Sequence, residues 1–263
     1  MILKKKTIAV IKTYNQHSPD AGHWIFDDLN NEWIENFSLV DQSKSFYTLR
    51  REVSNSNYKF HVDSFPRQGN TTLRSILLQV FPDLLMPDPM VHVTTVTLDA
   101  IRNNDVVIST VRDPHEALAS FISRAVYSDE IYKNIFILKN KIPRLVINNS
   151  IKFYNRYMNF IIENNKNIQI IEFETILQMY RDFLNFRESE NIILKKISQK
   201  YDLKFTTDKR PRYSSVKYTS TVDKKIRSYL INDKFYLRKI KKSYKLYLQI
   251  LKLIEENEKL LST

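Results

Sequence analysis

Glycine and cysteine are the residues that this chain has least of. Its 263 residues include two glycines, Gly22 and Gly69, and no cysteine. Without cysteine the chain has neither disulfides nor thiolate metal sites, which fits a reducing compartment. No apolar run reaches the roughly 18 residues that a membrane-spanning helix needs, and the apolar stretch near the basic start is too short for a secretory signal. We therefore expect a cytoplasmic protein without a transmembrane segment.

Negative charge is also in short supply. The chain has 41 Lys and Arg against 29 Asp and Glu, which gives a formal net charge of +12. A balance this basic indicates an anionic partner, such as nucleic acid, a membrane surface, an acidic polymer or a phosphorylated cofactor. A lysine-rich surface that is merely solvated is the alternative. Because the sequence has no motif that reads a nucleic acid, we expect no specific nucleic-acid partner.

The apolar pattern from residue 58 onwards predicts alternating strands and helices. Strand patterns cover 58–64, 105–111 and 167–173. Helices are predicted from the apolar face between Leu73 and Phe81, from Pro114 onwards with Asp113 as the cap, and over 144–164, 174–184 and 187–200. Such alternation is typical of an α/β protein with a parallel sheet between helices.

The two ends of the chain have different patterns. A strand is predicted within 7–14, and a hairpin over 23–37 that turns at Asn30 and Asn31. The last part is a long amphipathic helix whose outer face is basic; a solvated face or contact with a membrane would both explain it. We expect one domain over 1–263, with strands and loops in 1–57, the core in 58–230 and the helix in 231–263.

The stretch SFPRQGNTTLRS, residues 64–75, joins a predicted strand to a predicted helix and contains Gly69. The first N–H groups of a helix have no internal partners and bind anions well. Gly69 allows a positive φ, Asn70 and Thr71 add donors, and Arg67 adds a charge. An ordinary turn with an asparagine cap is the alternative. No lysine follows Gly69, so the loop does not match the phosphate loop of common ATP-dependent kinases.

Three segments of the chain resemble the sulfotransferases that use 3′-phosphoadenosine 5′-phosphosulfate (PAPS). Residues 64–75 look like the loop that binds the 5′-phosphosulfate. Residues 106–121, VVISTVRDPHEALASF, are similar to the segment that binds the 3′-phosphate, with Arg112 and Ser120 eight residues apart as in the family. IIEFET, residues 170–175, resembles a strand whose final aromatic residue, here Phe173, lies near the nucleotide. The resemblance covers roughly residues 58–230.

The resemblance implies a fold, a reaction and a set of donor-binding residues. The fold is a three-layer αβα arrangement with a central parallel sheet, the P-loop NTPase-like sulfotransferase fold, with extra C-terminal helices. The reaction is sulfuryl transfer from PAPS to a hydroxyl or amine, with 3′,5′-diphosphoadenosine (PAP) as product and no metal. The cofactor-binding residues are Pro66, Arg67, Gln68, Gly69, Asn70, Thr71, Thr72, Arg112, Ser120 and Phe173, together with Arg210 and Arg212 in a basic segment.

Two residues are the candidates for catalysis. Arg67 stands where the family usually has lysine, and would stabilise charge on the leaving phosphate. His92 lies twenty residues before Arg112, which is the spacing of the family's catalytic histidine, and histidine suits a general base. The alternative bases are the histidines His61 and His115, or a carboxylate, Asp88 or Asp99.

The sequence also departs from the family in two places. Thr72 replaces the tryptophan that stacks on adenine, and no glycine follows Gly69, so the glycine-containing segment that closes over the 3′-phosphate is missing. The basic stretch 209–218 stands in that region, and its candidate ligands are Arg210, Arg212, Ser214, Ser215 and Lys217. A kinase of related fold and a non-catalytic binding module remain the alternative functions.

The acceptor cannot be read from these motifs. It is a small molecule, a saccharide or a lipid-type molecule, bound by the N-terminal region, the segment 127–143 and the C-terminal helices. The sequence leaves monomer and homodimer equally open.

Overall fold

The fold is known from a computed structural model, which describes residues 10–12, 23–27, 32–36, 60–81, 84, 94–128, 130–206 and 221–260. In these ranges the protein is a mixed α/β structure with two three-stranded sheets and mostly helical content. None of the helices in the described part of the chain is long and apolar enough to cross a membrane.

The first sheet is antiparallel and comes from the N-terminal region. Its strands are β1 (Val10–Lys12), β2 (His23–Asp27) and β3 (Glu32–Asn36), in that order across the sheet. Ile25 lies opposite Val10 on one side and opposite Ile34 on the other. The pairing confirms the strand predicted within 7–14 and the antiparallel hairpin predicted within 23–37. The turn predicted at Asn30 and Asn31 lies outside the described residues.

The second sheet is parallel and forms the centre of the core. Its strands are β4 (Phe60–Val62), β5 (Val106–Val111) and β6 (Ile168–Glu172), with β5 in the middle. Both neighbours of β5 run parallel to it. All three strands fall within the predicted strand segments, so the prediction of a parallel sheet is confirmed.

Helices connect and follow the parallel strands. In chain order they are α1 (Asn70–Val80), α2 (Thr94–Arg102), α3 (Pro114–Ser128), α4 (Glu130–Lys139), α5 (Arg144–Glu163), α6 (Phe173–Leu184), α7 (Ile192–Tyr201), α8 (Thr221–Leu230) and α9 (Lys234–Leu260). The predicted start of α3 is confirmed, because Asp113 Oδ1 accepts a hydrogen bond from the Glu116 amide at 3.1 Å. Burial of Leu73, Ile76, Leu77 and Val80 likewise confirms the predicted apolar face of α1.

The structure corrects two predictions about helices and adds one helix that was not predicted. Helix α7 was expected from 187, but it begins at Ile192 because Asn191 Oδ1 caps the amides of Ile193 and Leu194, each at 3.1 Å. The helix α2 was not predicted, since its β-branched residues favour strands. The segment 127–143 was expected to be a loop, and it contains the helix α4 instead; its contact with the acceptor stays a prediction.

Helices pack against both faces of the parallel sheet. Ile108 and Ile171 point to one face and pack with buried residues of α1, α6 and α7. Their neighbours Val107 and Ile168 point to the other face, towards α2 and α5. A larger cluster joins α3, α5, α8 and α9 around Phe65, beyond the carboxyl ends of the strands. This cluster places the start of the loop after β4 in the middle of the core.

Candidate anion-binding site

The candidate site lies where the three parallel strands end. The site loop, residues 63–69, follows β4; Arg112 follows β5; and Phe173 follows β6. Parallel strands end at one edge of a sheet, and ligands of open α/β proteins bind at that edge. The helices α1, α3 and α6 also begin there, so their partly positive N-terminal ends face the same region.

An aromatic side chain anchors the site loop. Phe65 is fully buried, and its ring centroid lies 5.1 Å from the centroids of Phe121, Phe153 and Tyr154. Pro66 beside it is also buried. The loop is therefore held to α3 and α5 by packing, and the exposed Arg67 follows directly after this fixed point.

A buried polar cluster ties the start of α1 to the strand ends. Asn70 Oδ1 accepts hydrogen bonds from Ser64 Oγ at 2.5 Å and from Thr110 Oγ1, and Ser64 Oγ lies 2.7 Å from Thr110 Oγ1. Asn70 Nδ2 donates to the Ser64 carbonyl at 3.3 Å. The Asn70 side chain, which the sequence assigned to the bound anion, is 3% exposed and stabilises the loop from inside.

A second buried cluster surrounds the carboxylate at the start of the site loop. Asp63 Oδ2 accepts hydrogen bonds from Thr97 Oγ1 at 2.6 Å and from Tyr157 Oη at 2.7 Å. The Asp63 amide donates to the Ile108 carbonyl at 3.0 Å. These bonds connect the loop to α2, α5 and β5, so the backbone at this end of the loop is fixed.

The alternative bases sit in different surroundings. His61 is buried beside the Asp63 cluster, with Nε2 3.4 Å from Thr97 Oγ1. His115 has Nδ1 3.1 Å from Tyr236 Oη. Asp99 forms an ion pair with Arg102 at 3.2 Å on the surface of α2. His92 and Asp88 lie outside the described residues.

Gly69 has a conformational and a steric reason to be glycine. Its φ is +96°, which confirms the positive φ expected there. Residues with a Cβ atom rarely adopt such a φ. A Cβ atom at this position would lie 2.9 Å from Phe173 Cδ2 and 3.2 Å from Ile176 Cδ1. The site loop therefore packs closely against the first turn of α6 at Gly69, because glycine has no side chain.

Arg112 connects the ends of all three strands. Its guanidinium carbon lies 4.2 Å from the centre of the Phe173 ring, in a cation–π contact. Nη1 donates to the Arg67 carbonyl at 3.3 Å, and Nη2 donates to Glu116 Oε2 at 3.0 Å. Burial lowers the pKa of Arg112, and the attraction of the nearby Glu116 carboxylate opposes that change. The Phe173 ring thus contacts the Arg112 guanidinium and also packs against Gly69.

Arg67 joins the two main sequence motifs. Its Nε donates to Ser120 Oγ at 3.2 Å, across 53 residues of sequence. Its backbone φ is +71°, which is unusual for a residue with a side chain and is the kind of local strain found at functional sites. Arg67, Arg112 and Ser120, which come from two separate motifs, therefore lie together at one edge of the sheet.

Arg227 of α8 is a site residue that the sequence analysis missed. Its Nη1 donates to Glu116 Oε2 at 2.7 Å, so Arg112 and Arg227 share this carboxylate. Burial alone would raise the pKa of Glu116, but the hydrogen bond and charge of Arg227, together with Arg112, hold it below its usual value. The signal that could have found Arg227 is the apolar pair Ile226 and Leu230, which shows which face of α8 turns inward.

The start of α1 is partly exposed and has no acidic side chain in its first turn. Thr71 is exposed and Thr72 is half-buried. The first N–H groups of a helix point outward along its axis without helical partners. Beside them, the Gln68 side chain is fully buried, and neither of its amide atoms has a hydrogen-bond partner among the described residues. A buried amide of this kind marks a place where a ligand or an ordered water completes the bonding.

The basic segment with the expected ligands Arg210, Arg212, Ser214, Ser215 and Lys217 lies outside the described residues. Within the residues that the structure does describe, no group of three or more His, Asp or Glu side chains could hold a metal ion.

The described contacts link Arg67, Ser120, Arg112 and Arg227 into one group of donors beside the start of α1, which is suited to binding an anionic ligand. Arg67 Nε donates to Ser120 Oγ, and Arg112 and Arg227 share the Glu116 carboxylate. Comparison of the chain with protein-family models, with curated proteins and with solved structures found no match.

Proposed function

We propose that this protein is a sulfotransferase that moves a sulfuryl group from PAPS to a hydroxyl or amine of an acceptor. The observation that carries the proposal is the meeting of two motifs that were identified separately. Arg67 of the first motif contacts Ser120 of the second at 3.2 Å, and Arg112 of the second contacts the Arg67 carbonyl at 3.3 Å. The fold that accompanies the proposal is the P-loop NTPase-like sulfotransferase fold, with its three αβα layers and extra C-terminal helices.

The two anionic groups of PAPS are assigned to different residues of the site. The N–H groups at the start of α1 and the guanidinium of Arg67 would hold the 5′-phosphosulfate. Arg112 and Ser120 would hold the 3′-phosphate, and Arg227 adds a second guanidinium there from α8. Arginine suits this role because its planar fork forms paired hydrogen bonds with phosphate oxygens.

The proposed reaction is an in-line displacement at sulfur. The acceptor oxygen or nitrogen forms a bond to sulfur while the bond from sulfur to the bridging phosphate oxygen breaks. The acceptor proton passes to a general base, for which His92 is the candidate, and PAP leaves with the bridging oxygen. Arg67 stabilises the negative charge that grows on that oxygen, which requires a fixed charge and no proton transfer.

The buried clusters explain how the site is kept ready. Electrostatic stabilisation of a transition state is most effective when the donors are fixed before the reaction. Asn70, Ser64 and Thr110 fix the start of α1, and Asp63 fixes the beginning of the loop. The aromatic contacts of Phe65 hold the loop in the core two residues before Arg67.

A transfer assay with radiolabelled PAPS and a panel of phenols, saccharides and lipid-type acceptors tests the proposal. For an acceptor that is turned over, Arg67→Ala should lower kcat roughly 100-fold or more, because it removes one charge-stabilising donor. Its affinity for PAP should fall less than about tenfold, since the helix start and the 3′-phosphate ligands remain. Arg181→Ala, at an exposed position in the last turn of α6, is the matched control and should retain full activity.

The same experiment separates the alternative functions. Equal losses of kcat and of PAP affinity in Arg67→Ala would remove the transition-state role of Arg67. Tight PAP binding without transfer to any acceptor would indicate a non-catalytic binding module. Use of ATP without any sulfuryl transfer would indicate a kinase.

A further inference from the structure

The outward face of α9 carries positive charge along most of its length. Every exposed charged residue between 234 and 252 is basic: Lys234, Arg238, Lys239, Lys241, Lys242, Lys245 and Lys252. The first exposed acidic residues, Glu255 and Glu256, come only near the end of the helix. The net charge of this face is therefore strongly positive, independent of the candidate site.

The basic residues point away from the protein. The inward face of α9 is marked by Tyr236, Ile240, Ser243 and Ile250, which are buried in the core with α3 and α5. At 3.6 residues per turn, Lys234, Arg238, Lys241, Lys245 and Lys252 fall on the opposite side and form a single row. We call these five residues the basic row. At about 1.5 Å per residue, a row of this length extends over roughly 27 Å.

The spacing of the basic row weakens the helix that carries it. Its first four members follow one another at intervals of three or four residues, and like charges at such intervals repel each other across a helix turn. A face that only has to remain in water gains from mixing both signs, as acidic and basic residues then attract each other. A row of one sign is favourable to the protein when an anionic partner neutralises it.

Two exposed leucines border the basic row and indicate what the partner is. Leu237 is 42% exposed and Leu248 is 55% exposed. They are eleven residues apart, which is close to three turns, so they lie on the same side of the row. A polysaccharide or a nucleic-acid backbone would use the cations alone. A lipid surface would use both, since its headgroups pair with the lysines and its acyl boundary accepts the leucines.

We propose that the basic row, with Leu237 and Leu248, is a docking surface for membranes that contain anionic lipids. The five cations lie along one side of a single helix, so a flat layer of headgroups can meet them together. The contact is peripheral: lysine stems and two leucines enter the interface, and no segment crosses the bilayer. The proposal does not depend on the sulfotransferase activity, because none of these residues belongs to the candidate site.

Binding to lipid vesicles tests the proposal with the full chain. Vesicles of phosphatidylcholine with phosphatidylserine are compared with vesicles of phosphatidylcholine alone, by co-sedimentation. The wild type should bind only the anionic vesicles. The triple variant Arg238→Gln/Lys241→Gln/Lys245→Gln should bind them roughly 100-fold more weakly, as each basic residue near an anionic surface contributes about a factor of five.

A matched triple variant on another helix controls for net charge. Lys195, Lys196 and Lys200 are exposed on α7, and changing all three to glutamine removes the same charge from the chain. This control should bind anionic vesicles within about threefold of the wild type, because its lysines are not part of the row. Far-UV circular dichroism should show unchanged helix content in both triple variants, since all six positions are exposed.

The leucines separate a lipid surface from a soluble polyanion. Leu248→Gln should weaken binding to anionic vesicles several-fold and leave binding to heparin or duplex DNA unchanged, because only a lipid surface takes up an apolar side chain. The proposal is overturned if both triple variants weaken vesicle binding equally, or if the wild type binds neutral vesicles equally well. It is also overturned if heparin or DNA competes fully while Leu248→Gln has no effect on vesicles.

Discussion

Replacing Gly69 with alanine should lower the free energy of unfolding for two reasons, and the structure gives the size of each. The first reason is the backbone, whose φ of +96° lies in the left-handed region. A residue with a Cβ atom pays about 1–2 kcal/mol there. The second is space, because the added Cβ would lie 2.9 Å from Phe173 Cδ2 and 3.1 Å from Phe173 Cε2. Overpacking in a buried site costs about 1–3 kcal/mol.

Together these effects predict that Gly69→Ala lowers the free energy of unfolding by about 2–5 kcal/mol. Urea unfolding followed by far-UV circular dichroism measures the change as a lower midpoint at a constant slope. Thr71→Ala is the control, since Thr71 is exposed two residues later, and surface changes of this kind stay within about 0.5 kcal/mol.

A double variant divides the effect into its two parts. Phe173→Ala removes the Cδ2 and Cε2 atoms that the new Cβ would meet and leaves the 3.2 Å approach to Ile176 Cδ1. Gly69→Ala in that background should therefore cost less than in the wild type, close to the backbone part of about 1–2 kcal/mol. The reasoning fails if Gly69→Ala is within 0.5 kcal/mol of the wild type in both backgrounds. In that case the glycine would be there for the ligand and would have no part in folding.

Three further predictions concern the site. Arg227→Gln should weaken PAP binding, measured by calorimetry, about tenfold, because a charge-assisted hydrogen bond contributes roughly 1.5–3 kcal/mol. It should leave the binding of adenosine 5′-monophosphate unchanged. Lys225→Gln, at an exposed position on the same helix, is the control. Glu116→Gln should be less stable than the wild type at neutral pH, and the difference in urea midpoint should close as pH falls below 4.5. The reason is that a carboxyl whose pKa is lowered in the folded state stabilises the fold only while it is ionised. A difference in midpoint that does not change with pH would contradict this prediction. Tyr157→Phe should cost about 1.5–3 kcal/mol of unfolding free energy, since its hydroxyl donates to the buried Asp63 carboxylate. The cost should exceed that of Tyr154→Phe, whose hydroxyl donates to a backbone carbonyl; equal costs in urea unfolding would count against the role of the Asp63 cluster.

The parallel sheet could be predicted because its strands have strong local patterns. The run around Val107 and Ile108 is apolar and β-branched, as expected of a strand buried on both faces. The start of α3 could be predicted because Asp113 and Pro114 are specific signals for the first turn of a helix. Local chemistry was sufficient in these cases, since the tertiary structure agrees with it.

Helix α2 and the start of α7 could not be predicted by the same means. The sequence of α2 contains five β-branched residues among nine, and its position beside β5 depends on contacts such as Thr97 with Asp63. The start of α7 depends on Asn191, whose capping role is recognisable only once the helix is located. Tertiary packing overrides weak local preference in both places.

The motifs indicated which residues of the candidate site come together, and the structure shows how. The pattern predicted that Arg112 and Ser120 serve one phosphate, but it did not show that Arg67 contacts them, that Asn70 faces the interior or that Phe173 supports Arg112. Arg227 was missed because its partner Glu116 lies 111 residues away in sequence, and a single arginine on a basic helix carries no signal of its own.

The most direct test of the account is a calorimetric titration of the wild-type protein with PAP, with ADP, ATP and adenosine 5′-monophosphate as comparisons. PAP differs from adenosine 5′-monophosphate only by the 3′-phosphate, for which Arg112, Arg227 and Ser120 are the proposed ligands. The account predicts that PAP binds roughly 100-fold more tightly than adenosine 5′-monophosphate, as expected for charge-assisted bonds to one phosphate, and more tightly than ATP or ADP. Equal affinity for PAP and adenosine 5′-monophosphate would contradict it.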